Sequence, residues 1–180
     1  CFRARARETS FFPASFAFLT MARTVFLEQA SSLAVARTLK PVFSSPTVSG
    51  GRVFIGEGYH QDTGCRLFCL DARNGDRVHW SLTTTSHVES SATVANGNVI
   101  FGAGDDGLIC FATSIAEANS TSPPPLRWVV KNLHVDASPA VVDGRVYVGT
   151  VVGDVHRETL VLAVDAVTGD DLWRTPTPLA

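Results

Sequence analysis

The chain has 180 residues, 45% of them hydrophobic and 18% charged, with a formal net charge of −2. That composition excludes a disordered acidic chain, which lacks the apolar surface to offset chain entropy. It also excludes a basic nucleic-acid binder, because 15 Lys and Arg against 17 Asp and Glu leave no positive excess for phosphates.

Residues 1–40 read as a separate N-terminal segment, irregular or helical, without the turn signals that punctuate everything after them. Arg3, Arg5 and Arg7 precede an apolar stretch from Phe11 to Ala22, the outline of a residual export signal or anchor. Pro13 and Ser15 interrupt that stretch, and no small-x-small cleavage site follows, so a plain linker is the competing reading. It is too short and too charged to cross a bilayer as a helix, which needs about 20 apolar residues.

Residues 41–180 repeat with a period of 46–47, in copies over about 44–82, 90–130 and 137–175. Ser44-Ser45-Pro46, Ser90-Ser91-Ala92 and Ala137-Ser138-Pro139 share one position, and Gly51, Gly97 and Gly144 another. Each glycine leads into an alternating strand: Arg52–Gly56, Asn98–Gly102 and Arg145–Gly149. A second strand follows (Leu67–Leu70, Leu108–Phe111, Leu160–Ala163), and each copy closes on a tryptophan: Trp80, Trp128 or Trp173. Ser49-Gly-Gly, Ala95-Asn-Gly and Val142-Asp-Gly are hairpin signals, because these residues accept the positive φ of a type I′ turn; Asn74-Gly75 and Thr168-Gly169 read the same way. Self-similarity at this period predicts an all-β partial β-propeller of about three four-stranded antiparallel blades.

In copy three, Ala163, Asp165, Gly169 and Trp173 resemble the Ala-x-Asp-x-x-x-Gly-x-x-x-Trp signature of pyrroloquinoline quinone (PQQ)-type propeller repeats. Copy one keeps Asp71, Gly75 and Trp80 with Cys69 in the Ala position; copy two keeps Trp128, with Ala112 in the Asp position and a Pro-rich insert over Asn119–Pro125. The resemblance implies that each Trp packs against a neighbouring blade, with the Asp and Gly shaping the turn before it. Burial of all three rings is the expectation, yet three blades do not close a ring that typically needs four to eight. The chain is therefore expected to be part of a propeller, with sheet faces and Trp surfaces bare on both outer blades.

With strands lettered A to D from the channel outward, the D-to-A and B-to-C loops share one face, and the opposite face carries short generic A-to-B turns and is unspecialised apart from the proline insert. His60, His87, His134 and His156 all fall in loops of the first face, joined by Glu57, Asp62, Asp105, Asp106, Asp154 and Glu158. His87-Val88-Glu89 and His134-Val135-Asp136 are repeat-equivalent. His60, His87, Glu89, His134, Asp136 and His156 are thus the candidates for a polar ligand face, since imidazole and carboxylate bind metals, sugar hydroxyls and other polar groups. Against this stands the ordinary use of loop His and Asp as backbone caps, and no compact metal-binding spacing or catalytic set is present. Asp105-Asp106-Gly107 reads first as a hairpin turn. The cysteines read as thiols: Cys69 and Cys110 as small apolar fillers, and Cys65 as a loop-edge residue open to an outside partner.

The resemblance implies one of two functions. The first is a non-catalytic scaffold or binding module of the kind found in outer-membrane-assembly lipoproteins, periplasmic, envelope-bound or secreted. It would bind a protein or polar polymer, and no nucleic acid, and would join missing blades or self-associate. The second is a fragment of a PQQ-dependent dehydrogenase, whose quinone lies over a Trp with calcium held by acidic and amide side chains. Only that alternative calls for PQQ and calcium, and the adjacent cysteine pair frequent in such enzymes is absent.

Overall fold

The computed structural model describes residues 40–73, 75, 77–113, 124–152 and 158–177, all within the unit Thr38–Ala180. The readings of residues 1–39, of His156 and Asp154, and of most of the Pro-rich insert lie outside the described residues.

Twelve strands and no helix make up the described chain. They are β1 (Thr47–Ser49), β2 (Arg52–Gly56), β3 (Arg66–Asp71), β4 (Val78–Thr83), β5 (Thr93–Ala95), β6 (Asn98–Gly102), β7 (Leu108–Ala112), β8 (Leu126–Val130), β9 (Ala140–Val142), β10 (Arg145–Val152), β11 (Glu158–Asp165) and β12 (Asp171–Pro176). They form three four-stranded antiparallel sheets, β1–β4, β5–β8 and β9–β12, each paired in chain order. These are the three blades the repeat predicts. The third is longer than expected, since β10 and β11 run eight residues each and absorb part of what reads as loop.

The hairpins between the first two strands of each blade have two-residue turns, fixed by the pairs Ser49↔Arg52, Ala95↔Asn98 and Val142↔Arg145. Both turn residues have positive φ, 50° and 73° at Asn96–Gly97 and 48° and 73° at Asp143–Gly144, which is the type I′ geometry those dipeptides favour. The later turns differ from the two-residue expectation. Gly75 N–H donates to Asp71 O and Gly169 N–H to Asp165 O, closing wider loops. Asp165 Oδ1 accepts the amides of Val167 and Thr168 at 2.8 and 3.0 Å, and those bonds hold its carboxyl below the usual range. A bulge recurs at Cys69/Leu70, Cys110/Phe111 and Ala163/Val164, seating each tryptophan opposite the same position of its neighbour: Cys69↔Trp80, Cys110↔Trp128 and Ala163↔Trp173.

Two apolar cores fill the gaps between blades. Phe54, Leu67 and Trp80 of blade 1 meet Val99, Phe101 and Phe111 of blade 2, while Ile100, Leu108 and Trp128 of blade 2 meet Val146, Leu162 and Val164 of blade 3. Strand alternation explains the division, because odd and even residues of blade 2 face opposite neighbours. Polar seams accompany the cores. Ser45 N–H donates to Ser91 Oγ at 2.9 Å, and Ser91 N–H to Ser138 Oγ at 3.0 Å. Thr47 Oγ1 donates to Ala92 O at 2.6 Å, and Thr93 Oγ1 likewise to Pro139 O. Gly56 and Gly102 let the next blade's entry segment come close: a Cβ would lie 2.4 Å from the carbonyl oxygen of Val88 or Val135 respectively.

The tryptophans do not share one fate. Trp128 is 7% exposed, and its Nε1–H donates to Ala166 O of blade 3 at 3.2 Å. Trp80 is 1% exposed, but its Nε1–H has no acceptor. The repeat-equivalent carbonyl, Thr113 O, instead accepts the Arg52 guanidinium. Trp173 is 43% exposed, unlike the other two rings and as expected of an outer blade, because among the described residues no turn covers it as the Ala166–Gly169 turn covers Trp128. Leu172 and Val142 are exposed on the same blade. On blade 1, Val53, Ile55, Phe68 and Leu70 are buried.

Candidate functional site

The entry segments of blades 2 and 3 place equivalent side chains side by side. Each is anchored by its central valine: Val88 N–H donates to Glu57 O, and Val135 N–H to Gly104 O, both at 3.0 Å. The flanking histidine and carboxylate therefore project at the same height in successive blades. A separation of 47 residues becomes direct proximity, and the His87 and His134 ring centroids are 5.3 Å apart in an edge-on arrangement.

Asp136 joins the two rings. Nε2 of His87 lies 2.8 Å from Asp136 Oδ1, and Nε2 of His134 lies 3.0 Å from Asp136 Oδ2. The other ring nitrogens are held from behind: His134 Nδ1 is 2.6 Å from Asp105 Oδ1, and His87 Nδ1 is 3.3 Å from Ser86 Oγ. His87 is 2% exposed and packs over Gly104, where an added Cβ would come within 3.1 Å of the imidazole. His134 and Asp136 face the solvent side, with side chains 14% and 39% exposed. Burial works against the charged form of His134, but the bonds and charges of Asp105 and Asp136 outweigh it and hold its pKa above the ordinary value.

Other loop residues have different duties. Glu89, the equivalent of Asp136, accepts the His60 backbone amide at 2.5 Å and lies 3.2 Å from His60 Nδ1. Its partner is thus a histidine of the β2–β3 loop of blade 1 rather than one from an entry segment. Glu57 is buried in an ion pair with Arg66 at 2.7 Å, and Asp62 caps its own turn through the Tyr59 amide. Asp106 accepts the amides of Thr85 and Ser86 and the Thr85 hydroxyl. The Asp-Asp-Gly run is therefore more than a turn: Asp105 orients His134, while Asp106 fixes the loop that carries His87. Sequence reasoning missed Asp105 as a partner because its Asp-Gly context already explained it.

All three described cysteines are free and buried, Cys65 included, so Cys65 is not the accessible thiol its loop-edge position suggested. Lys40 Nζ caps its sulfur at 3.4 Å. Burial pushes Cys69 and Cys110 up to about 12.

No family model matches the chain, and no curated protein matches it. Solved structures do. A europium-containing methanol dehydrogenase superposes with a TM-score of 0.58 at 18% identity, over 81% of this chain and 27% of that one. A quinohemoprotein alcohol dehydrogenase from Comamonas testosteroni gives 0.56 at 19% identity, over 78% of this chain and 22% of that one. The β-propeller domain of Cps50 (Swd1) from Myceliophteria thermophila gives 0.56 at 15% identity, over 97% and 48%. The blades are those of a β-propeller. The likeness to PQQ-type propellers holds at the level of fold, and the chain spans about a quarter of the dehydrogenases it matches. Within the propeller, the His87–His134–Asp136 group straddles the loops joining blades 1 to 2 and 2 to 3.

Proposed function

We propose that this propeller is a non-catalytic binding module of the cell envelope that takes a protein segment or polar polymer on its histidine-bearing loop face. The observation that carries the reading is the convergence of His87, His134, Asp136 and Asp105 from three separate loops. On the opposite face, the hairpins between the first two strands of each blade are two-residue turns with little to offer a ligand. Propellers lend their loop faces to many partners, so the fold itself supports binding without naming a reaction. The partly exposed carboxylate and imidazole supply donors and acceptors suited to hydroxyls and peptide groups.

A dehydrogenase fragment is the second reading, favoured by the fold likeness to alcohol dehydrogenases. Two features of the described blades weigh against its cofactor. Trp80 and Trp128 are sealed between blades and offer no platform for a quinone. The clustered donors are histidine and aspartate rather than the acidic and amide set that calcium would take.

Amide-resolved NMR titration with soluble glycans and with extended peptides tests the proposal. Shifts confined to residues 57–64, 84–89, 103–107 and 131–136, and lost in a His134→Gln/Asp136→Asn double variant that circular dichroism shows to be folded, support it. Shifts confined to the opposite turns, or none with any probe, refute it. Quinone absorbance and dye-linked alcohol oxidation after adding PQQ and calcium would replace it with the second reading.

A further inference from the structure

The donor atoms of His87, His134 and Asp136 all lie within 4.8 Å of one another. We propose that these three side chains bind one divalent transition-metal cation, zinc foremost, with Asp105 and Ser86 orienting the imidazoles. This deepens the binding-face reading and rests on it for the location of the site.

Both Nε2 atoms converge on the same carboxylate, at 2.8 and 3.0 Å. Zinc takes nitrogen and carboxylate donors at about 2.0–2.2 Å, so a tetrahedral ion needs them about 3.4 Å apart. The two short contacts must open by about half an ångström while the donors that stand up to 4.8 Å apart close in, which calls for small rotations of the partly exposed Asp136 and His134 side chains. Metal-binding imidazoles characteristically donate their second N–H to a carboxylate, carbonyl or water, which fixes the tautomer and aims the lone pair. Asp105 does this for His134 Nδ1 at 2.6 Å, and Ser86 Oγ stands 3.3 Å from His87 Nδ1.

The scaffold supports such a site. His134 N–H donates to Val151 O at 2.9 Å and Val151 N–H returns to His134 O at 3.1 Å, so the ligand-bearing segment is paired to blade 3 as well as to Gly104 of blade 2. Two imidazoles with one carboxylate suit zinc, copper, nickel or iron, whereas calcium takes six to eight oxygens. Three protein donors on a face open at Asp136 leave a coordination position for water or for a group of the bound partner. An ion held there would pin the entry segments of blades 2 and 3 to each other.

Chelator-stripped full-length chain is dialysed against micromolar Zn(II), metal content is read by mass spectrometry, and Co(II) loading is followed by its visible absorption. One metal per chain is expected. Asp136→Asn and His134→Gln each weaken binding at least about tenfold, and Asp105→Asn weakens it by about 10–100-fold. Asp143→Asn, in a turn on the opposite face, leaves it unchanged. Circular dichroism confirms that each variant is folded; His87, which is nearly fully buried, is left intact for that reason. A wild-type chain that remains metal-free, or Asp136→Asn and His134→Gln variants that load as wild type, overturns the inference. If zinc fails to bind while Asp136→Asn still abolishes loop-face shifts with glycan or peptide, the metal inference falls and the binding face stands. Zinc bound with no such shifts gives the reverse.

Discussion

Trp80 and Trp128 occupy the same place in successive blades and differ in one hydrogen bond, so replacing each by Phe separates that bond from the packing around it. Both rings are buried. Shrinking indole to phenyl removes similar apolar contact in each, about 1–2 kcal/mol at about 0.8 kcal/mol per buried CH2. At Trp80 the change also removes a buried N–H without an acceptor, recovering about 1–3 kcal/mol of desolvation. At Trp128 it breaks the 3.2 Å bond to Ala166 O, a loss of about 1 kcal/mol. Trp80→Phe therefore falls between about 1 kcal/mol destabilising and about 2 kcal/mol stabilising, while Trp128→Phe costs about 2–3 kcal/mol. The assay is urea unfolding followed by far-UV circular dichroism, because tryptophan emission changes with the substitution itself. Midpoints are compared at a common slope. Equal costs within about 0.5 kcal/mol, or a larger cost at Trp80, would refute the assignment of the unpaired donor and with it the role given to Arg52 at Thr113 O.

Two further outcomes follow from the packing. Gly102→Ala drives a Cβ to 2.4 Å from the Val135 carbonyl and lowers the melting temperature sharply, whereas Gly149→Ala meets nothing closer than 3.9 Å and is tolerated or mildly stabilising; thermal melts of the two variants compare them directly. Cys65, Cys69 and Cys110 resist iodoacetamide in the native chain and react on unfolding, read by peptide mass mapping. The folded pKa of Cys69 and Cys110 is about 12 against an ordinary 9.0, so the unfolded chain ionises first as pH rises. The contribution of these thiols is intact below pH 9.0 and drains away above it as pH climbs toward about 12. Stability that holds flat between pH 9.0 and 11 would contradict this.

The blades were legible because their signals are local and recur: paired turn residues with positive φ, strand alternation, and glycine at Gly56 and Gly102 where a neighbour's backbone approaches. The loop face was legible as a list of residues, since His87 and His134 hold equivalent places. Their convergence on Asp136 was not, because the distance between them depends on how two blades pack rather than on either loop. Arg52 was equally opaque. It reaches a carbonyl 61 residues away, and nothing near it in the chain announces that contact. Trp173 shows the opposite limit: a matching motif does not bury a ring that no neighbour covers.

The line of serines has a direction. Ser45 gives its amide proton to Ser91, and Ser91 gives its own to Ser138, so blade 2 receives on its hydroxyl and gives from its backbone. Duplicating a whole copy inserts a unit whose giving and receiving groups already match both neighbours. Duplicating part of one breaks the line. Recombination between whole copies therefore keeps this serine line intact, even though the tryptophan contacts at the two junctions differ.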